Sequence, residues 1–86
     1  MLMNLSAAEH VEMARELIVL RKDTTWKCGP AQKRIIRAVR EFLRSRPAAR
    51  GAPLELVLER SGLAPEAFFD ALRRLERRGI VEVVTA

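Results

Sequence analysis

What this sequence lacks narrows the field first. It has one cysteine, Cys28, in 86 residues. No disulfide can close within the chain, and the expected compartment is the reducing cytoplasm. The one histidine, His10, lies far from Cys28 in sequence. Metal sites need clustered ligands, so neither a metal nor a cofactor is expected, and His10 reads as an ordinary surface or helix-edge residue. The chain offers no Ser/His/Asp set and no glycine-rich phosphate loop. Enzymes converge several polar groups on one pocket, so an enzyme is not expected. No apolar stretch approaches the about 18 residues of a membrane span. The opening Met1–Ser6 has neither a basic leader nor a long apolar run, which argues against a signal peptide. Internal repeats and low-complexity segments are also missing.

What remains is a charge-rich chain of folding composition, 49% hydrophobic and 31% charged, a balance that excludes disorder. Its length suits a single domain over residues 1–86. A domain this short buries only about 60–65% of the surface its unfolded chain exposes, so association with a second copy is a reasonable expectation. The net charge is +5 and the isoelectric point about 10.7, which favours an anionic partner, nucleic acid before an acidic protein or a membrane surface. The excess is local. From Lys27 to Arg50 there are eight cations against the single acid Glu41, a net of +7, whereas residues 1–26 and 51–86 each carry a net of −1.

Helical signals come in sequence. Ser6-Ala7-Ala8-Glu9 is a capping box, and a helix is predicted over 6–22. Ala7, Val11, Ala14 and Ile18 share one face, widened by Met13, Leu17 and Leu20, with Glu9, Glu12 and Glu16 opposite. This arc is wider than a small core needs. It reads either as a dimerisation helix, with Val11, Ala14, Leu17 and Ile18 at the interface of a homodimer, or as the completion of the monomer core. The connector Asp23–Gly29 follows. Its Trp26 reads as an anchor tucked onto the core or as a ligand platform, and Cys28 as a small apolar residue or a redox thiol.

Pro30 suits the first turn of a second helix running to about Ser45, with Ile35, Ile36, Val39, Phe42 and Leu43 inward. Lys33, Arg37, Arg40 and Arg44 fall close together on the far face. The stripe reads as a phosphate-contacting surface, as a solvated face, or as the partner of the Glu9/Glu12/Glu16 stripe. Pro47 ends the helix. A brief strand is expected near Arg50–Ala52. A third helix starts near Pro53, with Leu54, Val57 and Leu58 inward. After a turn at Ser61-Gly62-Leu63 a fourth helix runs from Pro65 to Gly79, lined inside by Phe68, Ala71, Leu72 and Leu75. The β-branched Ile80–Val84 reads as a strand.

Two stretches carry a resemblance. Leu58-Glu59-Arg60-Ser61-Gly62-Leu63-Ala64-Pro65 looks like the turn of a helix-turn-helix, with glycine in the corner and Leu63 as its plug. Leu72-Arg73-Arg74-Leu75-Glu76-Arg77-Arg78-Gly79-Ile80-Val81 resembles the end of the recognition helix and the start of the wing in winged-helix regulators of the MarR and ArsR types. The resemblance covers about residues 31–86, within a core placed at 30–86. It implies a mainly α, winged-helix-like fold: an N-terminal extra helix, a three-helix core and a short C-terminal strand. Only Thr85 and Ala86 follow that strand. The wing is therefore truncated, or the strand pairs near Gly51 or with another subunit. Ala64 stands where the family often has a capping serine or threonine.

The outward face of the fourth helix is predicted to show Glu66, Phe69, Asp70, Arg73 and Arg77. The resemblance implies a small non-catalytic protein that binds double-stranded DNA, a transcriptional regulator or chromosomal protein. Arg73, Arg74, Arg77 and the Lys33–Arg44 stripe would then contact phosphates, with Glu66 and Phe69 where bases are read. As a dimer it would address half-sites about one helical turn apart. The alternative is an interaction module that grips a protein partner through the Phe69 face.

Overall fold

Residues 16–85 are described by a computed structural model, and their order of elements begins with a strand. Glu16–Leu20 is β1. Helix α1 spans Pro30–Ser45, β2 is Ala52–Pro53, α2 is Leu54–Ser61, α3 is Pro65–Arg77 and β3 is Val81–Thr85. The result is a small α/β domain in which three helices cover a three-stranded antiparallel sheet of order β2-β1-β3.

The extra helix expected over 6–22 is therefore corrected where it can be seen: residues 16–20 are a strand, and residues 6–15 lie outside the described residues. The physical reason is that Leu17-Ile18-Val19-Leu20 is apolar at every position. A short run of this kind satisfies a helical period and a strand equally. Two β-branched residues and the unpaired β3 tip the balance toward a sheet. β1 takes the central place, with Leu17 opposite Pro53 and Ile18 opposite Ala52 on one side, and Glu16 to Leu20 facing Thr85 to Val81 on the other. The partner of β3 is thus β1, which lies between β3 and the strand that follows Gly51.

The same change revises the proposed dimer interface. Ile18 is fully buried in the chain's own core and Leu17 is half-buried in β1, while Val11 and Ala14 lie outside the described residues. The core joins Ile18 to Ile35, Ile36 and Val39 of α1, Val57 of α2, Phe68, Leu72 and Leu75 of α3, and Ile80 and Val81. Gly51 admits β2 to this arrangement. A Cβ there would sit 2.8 Å from the Ile18 carbonyl oxygen, closer than any side chain tolerates, so the backbones of the two segments can meet only at glycine.

The helical part follows the sequence closely. α1 starts at Pro30 and ends before Pro47. The corner between α2 and α3 is built from Ser61, Gly62 and Leu63. Gly62 closes α2 at φ 70, the left-handed cap conformation open to glycine. Buried Ser61 is satisfied inside the turn: its Oγ donates to the Leu58 carbonyl at 2.8 Å and accepts from the Leu63 amide at 3.2 Å. Leu63 packs against the core. Ala64, the N-cap of α3, supplies no side-chain cap. The helix ends in paired cap bonds, Gly79 N–H to the Glu76 carbonyl at 2.9 Å and Ile80 N–H to the Leu75 carbonyl at 3.0 Å, with apolar Ile80 over Leu75.

Candidate nucleic-acid interface

α3 owes its outward face to its period. Phe68, Ala71, Leu72 and Leu75 are drawn into the core, which leaves Glu66, Phe69, Asp70, Arg73, Arg74 and Arg77 exposed. Phe69 remains 37% exposed although its ring meets Phe68 edge to face, with centroids 5.1 Å apart. That contact, favourable beyond its buried area, holds one edge of the ring and leaves the rest free. An open hollow of about 480 Å³ lies beside it, lined by Pro65, Glu66, Phe69 and Arg73. On the next turn Arg74 pairs with Asp70 at 3.3 Å. Arg73 and Arg77 enter no ion pair among the described residues.

The stripe on α1 has a more uneven character than its spacing suggests. Arg37 and Arg44 are exposed, Lys33 and Arg40 half-buried. Arg40 pairs with Asp23 of the connector, so one member is neutralised inside the fold, by an acid other than the Glu9/Glu12/Glu16 stripe. Lys33, Arg37 and Arg44 make no ion pair among the described residues. No hydrogen bond or ion pair among these residues joins the stripe to α3.

The two helices meet instead through their apolar faces in the core. Arg34 reaches from α1 to the Ser61 carbonyl at 3.5 Å, directly over the α2–α3 corner. At the other end a cleft of about 250 Å³ separates the start of α1 from α3, with Gly29, Pro30 and Gln32 on one wall and Asp70 and Arg74 on the other. The exposed face of α3 carries Arg73, Arg74 and Arg77, and that of α1 carries Arg37 and Arg44.

Sequence reasoning missed one participant. Arg78 reaches from the end of α3 to the connector and donates to the carbonyls of Trp26 at 2.6 Å and Lys27 at 3.2 Å. No local signal marks it, because the interaction uses the connector's backbone and spans 52 positions. Trp26, read as an anchor on the core or as a ligand platform, is 70% exposed.

Among the described residues no group of three His, Cys, Asp or Glu is placed to hold a metal ion. No helix there is long and apolar enough to cross a membrane. None of the family models, curated proteins or solved structures compared with the chain matches it.

Proposed function

We propose that this chain is a non-catalytic DNA-binding module, and that α2, the Gly62 corner and α3 work as a helix-turn-helix on a duplex. The observation that carries this reading is the exposed face of α3, where Arg73 and Arg77 stand unpaired among the described residues beside Arg74. Arg74 and Arg77 reach phosphates. Glu66, Phe69 and Arg73, nearer the helix start, lie where base edges are met in a major groove. Lys33, Arg37 and Arg44 add affinity that does not depend on sequence. The arrangement of the sheet supports the same reading. β1 runs antiparallel beside β3, in the place where the second strand of a wing would return, so β3 finds its partner at the other end of the domain. A role in transcription or in coating a chromosome is the setting that such binding serves. One copy suffices for this contact, since β1 belongs to the monomer's own sheet.

The deciding measurement is fluorescence anisotropy of a labelled random-sequence duplex at about 50 and 200 mM salt. With roughly five phosphate contacts the affinity falls by about two to three orders of magnitude between the two conditions. A duplex that does not bind at the lower salt overturns the proposal.

One observation favours a second reading, a protein-gripping module. Phe69 is exposed beside an open hollow and between the carboxylates Glu66 and Asp70, a pairing more usual at protein contacts than at phosphates. In that case Phe69→Ala abolishes partner capture and leaves duplex affinity untouched. Unchanged capture refutes this reading.

A further inference from the structure

The connector between β1 and α1 carries the chain's one tryptophan and fixes it outside the core. Two large apolar side chains stand exposed among the described residues, and Trp26, at 70%, is much the more open. Its backbone is held from both sides. The Trp26 amide donates to Thr24 Oγ1 at 3.1 Å, and the Cys28 amide closes the turn on the Thr25 carbonyl at 3.1 Å. From the end of α3, Arg78 donates to the Trp26 and Lys27 carbonyls and also approaches Gln32 Oε1 at 3.5 Å. Lys27 takes φ 54, a region that L side chains rarely enter. Such conformations persist where the surroundings over-determine them, and they collect at ligand sites. A connector that needed only docking would bury the indole, its largest apolar surface. Here an arginine docks the backbone and the ring is left in solvent.

The ring's surroundings are cationic. Lys27 Nζ stands 5.6 Å from the ring centroid. From Thr24 to Arg40 the sequence contains no carboxylate. Neither Lys27 nor Arg78 enters an ion pair among the described residues. A flat aromatic surface flanked by unpaired cations matches a ligand that joins a π face to a phosphate. In a duplex the bases are stacked inside, so the partner with that chemistry is an unpaired base on a strand.

We propose that Trp26 is a stacking platform for an unpaired nucleobase on the face that Lys27 does not cover, with the Lys27 ammonium available to the neighbouring phosphate. The chain accordingly prefers DNA that offers a single-stranded end, gap or bubble to a blunt duplex. This inference rests on the nucleic-acid reading above and adds the substrate class.

The full chain is titrated at about 100 mM salt with a blunt duplex, the same duplex with a four-nucleotide overhang, and polyglutamate. Anisotropy is followed on the labelled DNA, and emission on Trp26, the only tryptophan. The overhang is expected to bind on the order of ten-fold tighter than the blunt duplex and alone to quench emission strongly. Trp26→Ala brings the overhang down to blunt-duplex affinity, Trp26→Phe retains part of the preference, and both leave blunt-duplex binding unchanged. Equal affinity for blunt and overhanging DNA, or a preference that survives Trp26→Ala, overturns this inference and leaves the duplex reading standing. Binding to neither DNA brings down both. Quenching by polyglutamate in place of the overhang overturns it by assigning the turn to an acidic protein.

Discussion

Helices α1 and α3 share a plan and differ in charge. Each begins at a proline, buries a face of large apolar residues and turns arginines outward. α1 carries five cations against the single carboxylate Glu41, a net of +4. α3 sets three cations among the three carboxylates Glu66, Asp70 and Glu76, a net of zero. A helix of one sign projects a field that reaches about a Debye length into solvent. A helix of mixed sign is nearly silent at that range and has meaning only at contact. On the DNA-binding reading the first attracts and the second selects. The division parallels that between phosphate contacts, which position a protein on nucleic acid, and base contacts, which specify the sequence.

The most severe way to break this comparison is to remove what the helices share. Phe68 is fully buried at the centre of the core. Phe68→Ala should cost about 3–5 kcal/mol, a large part of the stability of a domain this small. Denaturant unfolding would show it, and both faces should fail together. The next test separates them. Arg37→Ala with Arg44→Ala should weaken duplex binding on the order of a hundred-fold at about 50 mM salt and lower the salt slope by about two. Competition among duplexes should show the ranking of sequences unchanged. Arg73→Ala should cost about ten-fold and flatten the ranking, as loss of a base contact does. A ranking flattened by the α1 pair and untouched by Arg73→Ala would reverse the assignment. The smallest effect has the opposite sign. Arg40 and Asp23 form a partly exposed pair, so Asp23→Asn should cost no more than about 0.5 kcal/mol of stability. It also returns Arg40 to the stripe, and low-salt affinity should rise a few-fold. Unchanged affinity would show that Arg40 takes no part in the attraction.

The helices were legible because their boundaries are chemical. Pro30, Pro47, Gly62, Pro65 and Gly79 punctuate the chain, and between them the apolar period is clean. The strand β1 was not legible, since Leu17–Leu20 supports either period and its choice is made by β3, more than sixty positions away. The cations of the candidate interface could be read one by one, and Phe69 was placed outward by its angle alone. Their pairing could not be read. Asp23 neutralises Arg40 across 17 positions, and Arg78 spends its donors on the carbonyls of Trp26 and Lys27. Both depend on how the connector returns across the start of α1, which no local pattern encodes.

Glu16 lies directly opposite Thr85 in the sheet. The two ends of the described domain are strand neighbours, about 5 Å apart as cross-strand pairs are. Circular permutation should therefore be tolerated. A short linker from Thr85 to Glu16 would turn β3 and β1 into an ordinary hairpin, and the exposed loop between Arg46 and Arg50 would supply new termini where few contacts cross. In the permuted chain the β1–β3 pairing would close over a handful of residues instead of more than sixty. The loop-closure entropy that delays such pairing would shrink, and refolding should be faster at nearly the same native contacts.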